Sequence, residues 1–227
     1  MKKKIMILGL LVIIAFSAYF YKRKYYDPQQ KIKNAQYEVK QLTHNNILKD
    51  ADLIFQTSLS RQSKAIQLAS KSVYSHCGLI FKDEGVFYVY EAVQPVKRTL
   101  LEKWIAKGQG GHYVIKRLKN ANQILTSETI LKIKQNCEQW MGKNYDLCFE
   151  WSDDKIYCSE LIWKAYQRST GIEIGKLQQL KDFDLSNEAV KAKMTERYGK
   201  NIPLNEIVIS PSALFESNLL VTVKSND

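Results

Sequence analysis

The stretch that decides the fold of this chain is KIYCSELIW, residues 155–163. From Leu161 onward the apolar residues recur at helical spacing, which predicts a helix that packs on a core. Cys158 lies in the predicted first turn, where Ser159 and Glu160 suit the positive end of the helix dipole. The dipole also favours a thiolate, so Cys158 is a candidate nucleophile. The alternative is a small structural residue, because free cysteines are among the most buried residue types.

The composition indicates one globular domain behind an N-terminal leader. Of the 227 residues, 45% are hydrophobic and 25% are charged, which is ordinary for a folded chain with a core. The formal net charge is +11, but six basic residues flank the leader, and subtracting them leaves +5. The remaining basic residues are scattered rather than clustered, which argues against a nucleic-acid partner.

The leader is an apolar run from Ile5 to Phe20, followed by aromatic and basic residues. The run is shorter than the roughly 20 residues that span a bilayer comfortably and longer than the roughly 7–15 of a signal-peptide core. No clean cleavage site follows it, so residues 1–26 are predicted to be a hydrophobic leader helix that acts as an uncleaved signal anchor, with a cleaved signal peptide as the alternative. Either leader predicts that residues 27–227 form a domain on the periplasmic side of the cell envelope, anchored to the membrane or exported.

Cysteine and histidine usage gives little support for a disulfide framework or a metal site. The four cysteines include no C-x-x-C pair, and the chain has three histidines. One disulfide among Cys77, Cys137 and Cys148 is left open, and a structural zinc site has little support. The glycine-rich residues 108–111 follow a predicted helix and precede a predicted strand, which is the reverse of a phosphate loop. We therefore expect neither a metal nor a cofactor.

Several β-prone runs alternate with helical patterns, and together they predict an α+β domain. The predicted strands are residues 52–57, 76–81, 86–92, 112–118 and 219–223, and the longest predicted helices are residues 28–42, 130–141, 158–170 and 186–198. The turn Lys82-Asp83-Glu84-Gly85 predicts a hairpin, since glycine allows a positive φ. Alternating charges through residues 188–197 predict a solvated helix face, and the sequence offers no reason for the insertion-like segment Asp182–Asn205.

A cysteine nucleophile needs a base within hydrogen-bond reach and a third group that orients this base. His44 lies in a break before the predicted sheet, so the base is His76 or His112, with a modest preference for His76 at the start of a strand. Glu91 lies within an apolar strand that the hairpin pairs with the strand of His76. A carboxylate there is costly to bury unless it is paired, so contact with His76 and exposure at a sheet edge are equally good interpretations. Tyr145 is a candidate for support of the site, with aromatic packing as the alternative.

The order His76, Glu91, Cys158 and six longer segments resemble the YiiX/YebB family of permuted papain-fold cysteine hydrolases, which are related to NlpC/P60 peptidases. The segments are residues 52–55, 72–76, 90–96, 113–118, 149–154 and 157–161. The resemblance implies a circularly permuted papain-like α+β fold, with a central antiparallel sheet and packed helices. It also implies that Cys158 is the nucleophile, that His76 is the general base and that Glu91 orients His76.

The sequence departs from this family in two places. Ala51 stands where the family often has glycine, and Cys77 replaces a more usual valine or isoleucine, which puts a second sulfur beside His76. Neither departure removes a catalytic group.

The segment from Gly142 to Tyr145 resembles the Gly-x-x-Tyr element that lies near the cysteine in NlpC/P60 relatives.

The expected function is that of a cysteine hydrolase of the amidase or peptidase type in the cell envelope, working through a thioester. The relationship to NlpC/P60 peptidases suggests cell-wall peptide amides as substrates. Lipid amides or esters are the alternative, with hydrolysis or acyl transfer at the membrane, to which the N-terminal segment attaches the domain. A third alternative is a non-catalytic interaction protein of the envelope. The sequence leaves the oligomeric state open.

Overall fold

The computed structural model describes residues 15–226. Most of the predicted leader therefore lies outside the described residues. Residues 15–21 are helical and continue through the π-helical turn Lys22–Tyr26 into the first long helix. Within residues 15–226, no helix combines the length and the apolar character needed to cross a membrane.

The domain that follows is built from eight strands and eight α-helices within the described range. The strands are β1 (Asp52–Gln56), β2 (His76–Asp83), β3 (Val86–Glu91), β4 (Lys97–Leu100), β5 (Val114–Leu118), β6 (Gln178–Gln179), β7 (Ile207–Val208) and β8 (Leu220–Ser225). The helices are α1 (Asp27–His44), α2 (Ser63–Ser70), α3 (Leu101–Lys107), α4 (Ala121–Ile124), α5 (Ser127–Glu138), α6 (Cys158–Thr170), α7 (Glu188–Tyr198) and α8 (Pro211–Phe215). This arrangement confirms the predicted α+β class.

Six strands form one antiparallel sheet in the order β4-β3-β2-β1-β5-β8. The hairpin between β2 and β3 closes through Glu84 and Gly85, whose φ angles are 47° and 85°. Two consecutive positive φ values are the signature of a turn whose twist matches that of the paired strands, which confirms the predicted hairpin. The strands β6 and β7 form a separate two-stranded ribbon.

The sheet buries both of its faces, because side chains alternate along each strand. On one face, Leu53 and Phe55 pack in the larger core with α5 and α6, which also contains Trp140 and Tyr166. On the other face, Ile54 packs in a second core with residues of α1 and α3. The strand β2, which carries His76, is therefore held between two layers of helices.

The segment for which the sequence offered no explanation forms a third packed cluster. Val190 and Met194 of α7 are buried with Leu180, and Ala65 and Ala69 of α2 pack against them. The helix α7 begins after Asn187, whose side chain accepts a hydrogen bond from the backbone N–H of Ala189. Asn187 therefore caps this helix, which starts two residues later than the predicted range 186–198. The exposed charged side chains of α7 agree with the predicted solvated face. The other side of this helix packs against the domain.

Candidate active site

The start of α6 fixes the position of Cys158. The backbone N–H of Tyr157 donates to Glu160 Oε2 at 3.3 Å, which closes the first turn of the helix. Two further hydrogen bonds connect this turn to Ile209. Ser159 Oγ donates to the backbone carbonyl of Ile209 at 2.7 Å, and the backbone N–H of Ile209 donates to Tyr157 Oη at 3.1 Å. Cys158 is 3% exposed, so its thiol is held rigidly at the positive end of the helix.

His76 and Glu91 meet on one face of the β2–β3 hairpin. The register pairs Leu79 with Tyr90, which puts Glu91 opposite Gly78 and two residues from His76 on the same face. A Cβ atom on Gly78 would lie 2.3 Å from Val89 Cγ1, so glycine is required for this close approach. His76 Nε2 and Glu91 Oε2 are 2.7 Å apart, and both residues are buried.

Two neighbours hold this pair in place. Thr99 Oγ1 on β4 donates to Glu91 Oε1 at 2.6 Å, so both carboxylate oxygens have a partner. The ring of Trp104 stacks on His76 with centroids 5.7 Å apart and an interplanar angle of 24°. Since Glu91 occupies Nε2, the imidazole presents Nδ1 to Cys158, with which it forms a hydrogen bond.

The electrostatics of these groups favour an imidazolium and a thiolate. Burial lowers the pKa of His76, but hydrogen bonds and negative charge from Cys158 and Glu91 outweigh this and raise it to about 10. Burial raises the pKa of Glu91, and the bond to His76 more than compensates, so the net pKa is lowered. The pKa of Cys158 lies well below its usual value, chiefly because the Cys77 thiol donates a hydrogen bond to it, with His76 as the next favourable partner.

Cys77 is a direct partner of the candidate nucleophile. It is buried and directly follows His76 on β2, so its side chain points to the opposite face of the sheet, toward α6. Burial and the adjacent Cys158 sulfur raise the pKa of Cys77 well above its usual value, so it stays a thiol and a hydrogen-bond donor. All four cysteines are free thiols.

Tyr145 reaches the same site from the loop before α6. Its backbone pairs with Ile156, two residues before Cys158, in a short parallel bridge. Its hydroxyl accepts a hydrogen bond from Gln62 Nε2 at 2.9 Å. Burial and the negative charge of Cys158 raise the pKa of Tyr145 well above its usual value, so the hydroxyl keeps its proton.

The thiol opens on an apolar cavity of about 90 Å³. Cys158, Tyr145 and Tyr157 line this cavity together with side chains of α2 and α7, among them Ala69 and Met194. Its exposed lining is almost entirely apolar. The insertion-like segment thus forms one wall of the candidate active site.

The structure brings together the predicted residues Cys158, His76, Glu91 and Tyr145. It leaves His112 and His44 exposed, His112 at the turn before β5 and His44 at the end of α1. Among the residues that the structure describes, no cluster of three or more His, Cys, Asp or Glu side chains could hold a metal ion.

Three residues around the site were missed by the sequence-based predictions. Thr99 could have been found, because it is a polar residue in a short β-prone run that closely follows the strand of Glu91. Gln62 and Arg197 lie in segments distant from Tyr145 along the chain, and no local pattern indicates that Arg197 bonds Gln62 or that Gln62 bonds Tyr145.

A thiol beside an imidazole, which is itself hydrogen-bonded to a carboxylate, is the arrangement of the cysteine hydrolases. Residues 47–224 match the permuted papain-like amidase family YaeF/YiiX, also called the C92 family, and the chain belongs to this family. This confirms the resemblance found in the sequence and indicates a hydrolase of the papain-like type.

Two relatives from Escherichia coli support the same assignment. An uncharacterized protein YiiX of strain K12 is 51% identical over 172 residues, which cover 76% of this chain and 84% of that protein. A crystal structure of a protein described as metalloprotein YiiX, from strain O157:H7, has a TM-score of 0.75 and 50% identity, and the match covers 78% of this chain and 97% of that one. The metal in that description is a property of that protein.

Proposed function

We propose that the protein is a cysteine hydrolase that cleaves amides or esters carrying an apolar acyl chain, with Cys158 as nucleophile. The observation that carries this proposal is that Cys158, whose thiolate is stabilised by the His76–Glu91 pair, lines an apolar cavity. Lipid amides and esters fit such a cavity better than the polar peptides of the cell wall, which were the first expectation from the sequence.

The reaction begins with attack of the Cys158 thiolate on the carbonyl carbon, which forms a C–S bond and moves the carbonyl electron pair onto oxygen. As the tetrahedral intermediate collapses, the C–N or C–O bond breaks and His76 donates its Nδ1 proton to the leaving group. An acyl thioester of Cys158 results. His76, now neutral, takes a proton from water, the hydroxide adds to the thioester, and collapse releases the acid and restores the thiolate.

Two donors are available to the carbonyl oxygen as it becomes negative. The backbone N–H of Cys158 lies at the first turn of α6, where no preceding turn of the helix accepts from it. Tyr145, whose hydroxyl keeps its proton, lines the same cavity as Cys158. Preorganised donors of this kind typically contribute a factor of roughly 10²–10³ each to the rate.

We further propose that the protein acts at the membrane of the cell envelope, through the N-terminal segment. Five aromatic side chains near the start of the described range are at least 55% exposed: Phe16, Tyr19, Phe20, Tyr21 and Tyr26. Lys22, Arg23 and Lys24 lie among them. Mixed aromatic and basic side chains suit the interface between lipid and water, which would hold the cavity near lipid substrates.

A chain-length series tests the substrate class. The full-length protein is incubated with 4-nitroanilides of acetic, hexanoic and decanoic acid and, separately, with cell-wall peptide fragments. We expect kcat/KM to rise by up to roughly fourfold for each methylene that enters the cavity, since burial of a methylene contributes about 0.8 kcal/mol. Turnover of the cell-wall peptides with none of the anilides would refute the lipid assignment and restore the first expectation.

Alkylation by iodoacetamide near neutral pH tests the nucleophile separately. Wild type should react rapidly at Cys158, and His76→Ala should react much more slowly, because the imidazolium stabilises the thiolate. Equal and slow labelling of both proteins would contradict the activated thiolate and favour the non-catalytic interaction protein.

A further inference from the structure

Arg197, from the segment that the sequence left unexplained, is connected to the active site by two hydrogen bonds in series. Its Nη2 donates to Gln62 Oε1 at 2.6 Å, and its guanidinium lies 4.8 Å from the ring centroid of Phe149. Gln62 Nε2 donates in turn to Tyr145 Oη at 2.9 Å. All four side chains line the cavity that contains Cys158.

The direction of these hydrogen bonds follows from the chemistry of arginine, which has donors and no acceptor. Gln62 must therefore turn its oxygen toward Arg197 and its NH₂ group toward Tyr145. The Tyr145 oxygen accepts from this group, so its own proton is directed elsewhere. That proton is not used in the bond with Gln62, so it can be donated to a bound substrate.

We propose that Gln62 and Arg197 are positioning residues that hold the Tyr145 hydroxyl as a hydrogen-bond donor to the substrate oxygen. This inference rests on the role of Tyr145 in the proposed function. Arg197 sets the orientation of the Gln62 amide, and the amide orients Tyr145. The segment containing α7 then does more than form an apolar wall of the cavity. It supplies the Arg197 guanidinium, which determines the direction of both hydrogen bonds.

The substitution Gln62→Glu reverses one hydrogen bond and preserves the packing. A carboxylate pairs with Arg197 at least as well as the amide does, so a purely structural role predicts a folded and fully active protein. The same carboxylate has no proton to give, so it accepts from Tyr145 and draws the hydroxyl proton away from the substrate. Unfolding by urea checks that the variant is folded.

Two reactions of Cys158 separate the effect on the oxygen from the effect on the sulfur. Acylation by p-nitrophenyl acetate passes through a negatively charged carbonyl oxygen, whereas alkylation by iodoacetamide does not. Both reactions require the thiolate, so the ratio of their rates at one pH cancels any change in the ionised fraction of Cys158. Because any reactive thiolate is acylated by this ester, the test does not depend on the natural substrate.

We expect Gln62→Glu and Arg197→Met to lower this ratio by about tenfold or more, a substantial part of the contribution of one oxyanion donor. Arg197→Lys should retain most of the ratio, because lysine still donates to Gln62. Lys191→Met, on the exposed side of α7, is the matched control and should leave the ratio unchanged.

Combining Gln62→Glu with Tyr145→Phe tests whether the effect of Gln62→Glu on the rate ratio depends on the Tyr145 hydroxyl. In the Tyr145→Phe background, Gln62→Glu should cause no further loss, because the proton that it redirects is gone. An undiminished ratio in Gln62→Glu, or an equal loss with and without the Tyr145 hydroxyl, would overturn the inference. Failure of the acyl anilides to turn over would refute the substrate class and would leave this result standing.

Discussion

Removal of the negative charge of Glu91, by the substitution Glu91→Gln, is the most direct test of the electrostatics of this site. The Glu91 carboxylate lies 2.7 Å from His76 Nε2 and is held by Thr99, so glutamine keeps the shape of the side chain and a hydrogen-bond acceptor. The imidazolium is the form that the carboxylate stabilises. Loss of the negative charge therefore lowers the pKa of His76.

The expected magnitude follows from the geometry. A hydrogen bond between charged groups contributes roughly 1.5–3 kcal/mol, and one pKa unit corresponds to about 1.4 kcal/mol. In the wild type, Cys158 and Glu91 together raise the pKa of His76 to about 10 against the opposing effect of burial. Without the charge of Glu91 we expect this pKa to fall by roughly 1–2 units.

Histidine-ring NMR as a function of pH measures this change directly. The chain has three histidines, and the variants His44→Gln and His112→Gln assign the two exposed ones. His76 should titrate far above the usual range of a histidine in the wild type and at a lower pH in Glu91→Gln. Because His76 and Cys158 titrate as a pair, the midpoint belongs to both groups. A wild-type midpoint near that of an ordinary histidine, or an unchanged midpoint in the variant, would refute the reasoning.

Three further predictions concern residues that surround the reacting groups. Cys77→Val removes the thiol donor and should raise the pKa of the nucleophilic cysteine by up to roughly one unit, since a hydrogen bond from this weak, uncharged donor contributes roughly 0.5–1.5 kcal/mol. Thiolate absorbance against pH measures this pKa, and an unchanged midpoint would exclude the donor. Thr99→Val leaves one buried oxygen of Glu91 without a partner and should lower the free energy of unfolding in urea by roughly 1–3 kcal/mol; full stability would show that the bond is dispensable. Ala69→Leu narrows the cavity and should lower the ratio of kcat/KM for the decanoyl anilide to kcat/KM for the acetyl anilide by roughly tenfold. Lys64→Leu, on the exposed side of α2, should leave this ratio unchanged. An equal ratio in both variants would show that the acyl chain lies elsewhere.

Local patterns in the sequence were sufficient for the elements that carry the chemistry. The helix that begins at Cys158 was predicted from apolar spacing, and it ends before Gly171, which has a φ of 73° in the structure. The hairpin was predicted from Gly85, because a positive φ at a turn is a local requirement of the backbone. The resemblance to a known family supplied the fold, and the family match over residues 47–224 confirms it.

The choice between candidates needed the tertiary structure. His76 and His112 both begin a strand, and no local property decides which of them reaches Cys158. Glu91 fitted an exposed edge as well as it fitted a paired position, until the β2–β3 register put it beside His76 and β4 covered its outer side. Burial and pairing depend on which strands are neighbours, and strand order is a property of the whole chain.

The sequence by itself determined which residue types were available for catalysis and the helix on which Cys158 lies. Only the tertiary structure decided that the Cys77 thiol donates to that sulfur, and that Arg197, Gln62 and Tyr145 form one series. The physical reason is that helix dipoles and turns depend on neighbouring residues, whereas hydrogen bonds between side chains require segments distant in the chain to be packed together. The charged residues near Arg197 look like a solvated helix face until α7 is packed over α2.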